Sequence, residues 1–240
     1  RAIRGALGEN ASAPQYIETV GREGYRFLAT HHATTPLVPG SRFHVPRAAT
    51  QDSTLRTQHA VLVGRETELA RLHAALRKAL NGERQVVFVT GEPGIGKTTL
   101  VEAFLARVAH EHEHELRIGY GQCIEQYGGG EAYLPILEAM GRLCREEGGQ
   151  PITATLRQYA PTWLAQLSGV IPEAEAQALR VQVQGATQQR MLREMAEAIE
   201  AGTTRRPLLL IVEDLHWSDH ATVELFSYLA TRRKRARLFV

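Results

Sequence analysis

Residues 91–98 read GEPGIGKT and fit the pattern GxxxxGK[ST] without departure. Glycines at 91, 94 and 96 let successive backbone N–H groups turn inward around phosphate oxygens, and a helix beginning there presents its positive end to the same anion. Lys97 then sets a point charge against the β and γ phosphates, and the Thr98 hydroxyl is placed to ligate Mg²⁺. Glu92, Pro93, Ile95 and Thr99 complete the segment that surrounds the cofactor. The chemistry this spacing serves is the binding of a nucleoside triphosphate with its metal.

A second chemical element is PLLLIVEDLHWSD, ending at Asp219. A buried parallel strand delivers carboxylates at its C-terminal end, where ligands gather in open α/β sheets. Glu213 and Asp214 are the catalytic candidates, and Glu213 joins Thr98 on the metal. Should strand geometry continue through both, they point to opposite faces, so they cannot share one job. Asp219 is read as the cap of the next helix.

These residues need a scaffold, and the pattern supplies one. In ETELARLHAALRKAL, Leu69, Leu72, Leu76 and Leu80 fall three or four apart, on one face of a helix. QVVFVTG predicts a strand buried on both sides, and TTLVEAFLARV predicts a helix through Leu100, Val101, Phe104, Leu105 and Val108. Strand, glycine turn and helix make a βα unit. LRIGYGQC at 116–123 and PLLLIVEDL predict further strands, and ATVELFSYLATRR a helix. Residues 130–201 read as mostly helical, broken at Gly148, Gly149, Pro151, Pro161, Pro172 and Gly185. The fold class is α/β, a P-loop NTPase with a parallel sheet and flanking helices over 59–240.

Ahead of it, residues 29–58 carry Pro36, Pro39, Gly40 and Pro46 without apolar periodicity, which is linker chemistry. Residues 1–28 form another unit: a helix-like RAIRGAL, a Gly/Asn/Pro break, then YIETV and YRF around GREG, suited to a hairpin. The chain opens on Arg1 and closes on RLFV, read as a strand cut short, so sequence is expected beyond both ends.

Composition narrows the classes. With 43% hydrophobic and 22% charged residues the chain is globular rather than disordered, and a net charge of +2 makes no bulk case for nucleic acid or membrane. The run LLLIV is far short of the roughly 20 apolar residues that span a bilayer. Cys123 and Cys144 read as buried, reduced thiols of a cytoplasmic protein. His110, His112 and His114 alternate, so they do not share a helix face and read as a solvated helix end rather than a metal site. The basic run RRKRARLFV reads as a charged helix end complementing its dipole. Trp217 reads as packing beside the site.

LVGRETEL at 62–69, the loop at 91–98, GQCIEQYGGGEAYLPILEA at 121–139 and VEDLHWSD at 212–219 together resemble the AAA/STAND-type ATPase module of bacterial signalling regulators. The resemblance implies ATP and Mg²⁺ as cofactors and a nucleotide-driven conformational switch, with Val63 and Arg65 at positions that help hold adenine. That family often carries two aspartates at the strand end, where this chain has Glu213 followed by Asp214. No NKxD-like segment supports a guanine nucleotide.

RAIRGALGENASAPQYIETVGREGYRF is similar to the last third of an OmpR/PhoB-type winged-helix DNA-binding domain, from the tail of the recognition helix to the wing hairpin. The resemblance implies DNA as a partner of the complete domain, with Arg22 at the wing tip and Arg1 and Arg4 on the helix remnant as contacts. Tyr25 and Phe27 would pin the hairpin. The resulting expectation is an ATP-binding, slowly hydrolysing switch of a bacterial DNA-binding transcriptional regulator, with nucleotide-dependent self-association. The alternative is an ATPase signalling scaffold, or a cyclase- or kinase-associated regulator, that does not bind DNA.

Overall fold

The computed structural model describes residues 17–20, 24–27, 64–112, 115–125 and 131–240. Strands β1 (Ile17–Val20) and β2 (Gly24–Phe27) pair antiparallel, with Ile17 opposite Phe27 and Val20 opposite Gly24. This is the expected hairpin, with Gly24 inside the second strand rather than in the turn. Arg1, Arg4, Arg22 and Val63 lie outside the described residues, as does the linker.

The α/β domain begins with α1 (Glu66–Leu80) and α2 (Lys97–Glu111), then β3 (Arg117–Gln122). Five helices follow: α3 (Leu134–Arg145), α4 (Gln150–Tyr159), the short α5 (Pro161–Leu164), α6 (Glu173–Gln182) and α7 (Gln188–Gly202). Strand β4 (Leu208–Glu213), a 3₁₀ turn at Leu215–Trp217, α8 (His220–Thr231) and β5 (Leu238–Phe239) complete it. The expected breaks at prolines fall on helix boundaries: Pro151 and Pro161 sit in first turns, where a missing N–H costs nothing, and Pro172 caps α6. Gly148 and Gly185 do stand between helices.

The sheet is parallel in the order β3, β4, β5, with Leu209 at the centre of the pairing between Ile118 and Phe239. Residues 85–87 add to the free side of β5: Gln85 N–H donates to Leu238 O at 2.9 Å and Val87 N–H to Val240 O at 2.7 Å. The sequence expectation of a strand buried on both sides through QVVFVTG is corrected here. Only Gln85 and Val87 find ladder partners, and Val87 is 36% exposed. A strand's hydrogen bonds need a neighbour over its whole length, which β-branched content alone does not provide.

Strand alternation sorts the core into two layers. Leu208, Leu210 and Leu238 pack with α3, α4, α7 and α8, whereas Leu209 and Phe239 pack with Leu69, Leu72 and Leu76 of α1 and Leu100, Phe104 and Val108 of α2. Helices thus cover both faces, as a parallel sheet requires. Leu80 is half-buried and Ala79 takes the fourth inward place on α1. Helix α3 lies so close to β3 that a Cβ on Gly121 would stand 2.1 Å from Pro135 O, so only glycine fits there.

The basic run after α8 is also corrected. The helix stops at Thr231 with Arg232 as its cap, so the rest of the run lies beyond the helix. Arg232 and Arg84 contact the buried Glu200 at 2.7 and 3.2 Å, with Lys234 at 3.5 Å, and Arg235 donates to Asn81 O at 2.7 Å. Among the described residues no helix is long and apolar enough to cross a membrane.

Candidate nucleotide-binding site

The glycine loop joins the 85–87 segment to α2 at the C-terminal end of the parallel sheet. Gly91, Gly94 and Gly96 take φ of 152°, 77° and 89°, conformations that side chains resist, and Gly96 is the residue that caps α2. Nothing stands within 4 Å of a Cβ position on Gly94 or Gly96, so the glycines serve the backbone path and the space beside it. Lys97 is the first residue of the helix, and its ammonium donates to Gly91 O and Glu92 O, each at 3.0 Å. Thr98 and Thr99 follow in the first turn, while Glu92, Pro93 and Ile95 are exposed on the loop, Ile95 at 49%.

Arg65 caps the start of α1 and reaches this loop. One guanidinium nitrogen pairs with Glu68 at 2.9 Å and the other donates to Ile95 O at 3.1 Å. The segment that sequence resemblance assigned to adenine is therefore fastened to the phosphate loop by a side chain.

Glu213 ends β4. It continues the alternation Leu209, Ile211, Glu213, so it belongs to the sheet face covered by α1 and α2. Burial pushes its carboxyl above the usual range, and the charges of Asp214 and of Glu102 on α2 push it the same way. The sequence premise of strand geometry through both acids fails at the next residue. Asp214 adopts φ 53° and ψ 41°, a left-handed turn that opens the 3₁₀ segment. Its side chain is exposed and accepts from Gln122 Nε2 at 3.4 Å. The two acids still differ in setting, but through this turn and not through alternation.

Asp219 caps α8 as expected, accepting from Thr222 N–H at 2.9 Å and from the Thr222 hydroxyl at 2.6 Å. It also accepts from Tyr133 N–H at 3.2 Å, tying α3 to α8. Between them lies a cleft of about 300 Å³ lined by Gln122, Cys123, Pro135, Trp217, Ser218 and Asp219. The Trp217 ring lies against that of His216 at a tilt of 44°, with ring centres 4.9 Å apart. Cys123 is buried and its thiol is pushed up to about 11, chiefly by burial, so it is inert as expected. Cys144 is only half-buried, short of the burial expected for it, though burial still raises its thiol.

Sequence reasoning missed Gln122 and Glu102. Gln122 pairs in register with Glu213, a placement set by the β3–β4 pairing and not by any local motif. Glu102 sits on the exposed side of α2, five residues after Lys97, where its charge is felt by Glu213.

The model of the AAA ATPase domain family matches residues 61–240. No curated protein and no solved structure matches the chain. With the match extending over three of every four residues and containing the loop, the acid-bearing strand and the helices on both faces, the chain belongs to the AAA ATPase domain family.

Proposed function

We propose that this chain binds ATP with Mg²⁺ at the 91–98 loop and hydrolyses it slowly, as the switch of a bacterial DNA-binding transcriptional regulator. The observation that carries the nucleotide half is the coincidence of three elements at one end of the sheet: the open glycine loop, the start of α2 with Lys97, and Glu213 on the face shared with α2. The residues fit the cofactor, because the glycine conformations leave space along the loop and its amides precede a helix N-terminus. When bound, Mg²⁺ neutralises charge on the phosphate oxygens. Thr98 and Glu213 hold its position, Lys97 exchanges the carbonyls of Gly91 and Glu92 for β and γ phosphate oxygens, and Asp214 orients the attacking water. Val63 and Arg65 take the adenine side, a reading supported by the Arg65 tie to Ile95 O.

Titration with fluorescent ATP and GTP analogues, with and without Mg²⁺, tests this half. ATP binding strengthened by Mg²⁺ is expected, and failure to bind either nucleotide overturns the reading.

The DNA half rests on the winged-helix resemblance and on the hairpin pairing of β1 with β2. In this reading Arg22, Arg1 and Arg4 face DNA in the complete domain, nucleotide state governs self-association and hence promoter action, and the protein works in the cytoplasm. In the full-length protein, Arg22→Ala is expected to lower the slope of log K against log salt by about 0.9, one phosphate contact. A salt series on full-length wild type and Arg22→Ala measures it. Absence of sequence-specific binding with or without ATP gives the scaffold role instead.

A further inference from the structure

Parallel strands all start at the same end of their sheet, so the segments that lead into them gather there, opposite the phosphate loop. Three such segments, 77–84, 203–207 and 232–237, precede Gln85, β4 and β5. They hold ten of the chain's 28 lysines and arginines, eight of the ten being arginine, against a single acid, Glu83. The net charge of +2 therefore hides a segregation: this end is strongly positive and the remainder of the chain is negative.

Hydrogen bonds fasten the three segments into one surface. Arg84 donates to Lys234 O at 3.3 Å, Arg235 to Asn81 O at 2.7 Å and Arg237 to Thr203 O at 2.9 Å. Glu200, buried beneath, neutralises part of the charge of Arg84, Arg232 and Lys234, yet the Lys234 side chain stays 68% exposed. Arg77, Lys78, Arg205, Arg233 and Arg235 are exposed as well, and Arg205 and Arg233 make no hydrogen bond or ion pair among the described residues.

Between these cations the exposed residues are Asn81, Glu83 and Thr204, and the three segments expose no aromatic or large apolar side chain. Protein interfaces are anchored by such side chains, and single-stranded nucleic acid stacks on them. Arginine forks without them suit the phosphates of a duplex, each fork matching two phosphate oxygens. We propose that this end of the ATPase domain is a docking surface for the phosphate backbone of double-stranded DNA, bound without regard to sequence. It is separate from the wing contacts proposed above, since none of its residues belongs to the 1–28 unit.

The test is a salt series of fluorescence-anisotropy binding between the 240-residue chain and a labelled duplex of arbitrary sequence. A dissociation constant of about 1–100 μM at about 0.1 M salt is expected, with a slope of log K against log salt of about −3 to −4. Arg205→Gln combined with Arg233→Gln should bind about tenfold or more weakly and flatten the slope by about 1.8, two phosphate contacts. Both side chains are exposed and hold nothing in place, so the double variant keeps its fold. Arg71→Gln combined with Arg193→Gln removes the same charge from exposed positions on α1 and α7 away from this end, and should leave affinity and slope close to wild type. Arg22→Ala should remove only its own contact. Loss of all binding in Arg22→Ala, with the Arg205 and Arg233 double variant unchanged, would assign DNA to the hairpin alone and overturn this proposal. So would absence of duplex binding, or equal weakening by the Arg71 and Arg193 pair. Poly-glutamate binding as tightly as the duplex would also overturn it, naming an acidic protein as the partner.

Discussion

Glu213 is held where the fold alone would not want an ionised carboxylate. Its burial, and the neighbouring charges of Asp214 and Glu102, raise its proton affinity. A carboxyl raised above its unfolded value carries stability that is fully present below the unfolded value and is lost as pH rises through the folded one. Glu213→Gln is therefore expected to stabilise the chain at neutral pH by about 0.5–2 kcal/mol, read from urea unfolding, while weakening Mg²⁺-dependent ATP binding. A residue that trades stability for ligand binding shows that pair of effects, and a structural residue shows the reverse. The acid pair at the end of an aliphatic run is readable from sequence. The left-handed turn at Asp214 is not, because a positive φ at a non-glycine residue is imposed by the 3₁₀ turn that follows it.

At the scale of elements, α8 is tied down by Asp219. Removing its carboxylate leaves the Thr222 hydroxyl, on a residue that is 0% exposed, without its acceptor and frees Tyr133 N–H. Asp219→Ala is expected to cost about 2 kcal/mol, above an ordinary cap, and Asp219→Asn less than half of that, both measured by urea unfolding. This cap was legible because Ser-Asp directly precedes an apolar periodic run. The leucine faces of α1 and α2 were legible for the same reason, since 3.6-residue periodicity is local. The 85–91 strand misled because its pairing is not local: its apolar run is genuine, but only Gln85 and Val87 meet β5 and Val240.

For the whole molecule, Glu200 joins α7, α8 and the approach to the phosphate loop. Its carboxylate is 1% exposed and meets Arg232, Arg84 and Lys234, and Arg84 also donates to Leu229 O at 2.7 Å at the end of α8. Burial pushes this carboxyl up, but the hydrogen bonds from Arg232 and Arg84 and the nearby charges outweigh it and leave it below the usual range. A lowered carboxyl gives stability that is complete above its unfolded value, about 4.3, and lost as pH falls through the folded one. Glu200→Gln should cost about 3–5 kcal/mol at pH 7 in urea unfolding, and the gap to wild type should close below pH 4. No sequence pattern announces this network, since its members come from positions 84, 200, 232 and 234 and meet only in three dimensions. The phosphate loop was legible because its chemistry is written in consecutive residues. Its central claim is tested by titrating wild type and Lys97→Ala with a fluorescent ATP analogue in Mg²⁺. Loss of the charge-assisted contact predicts binding weakened roughly 10- to 150-fold, and equal affinities of the two proteins would contradict the account.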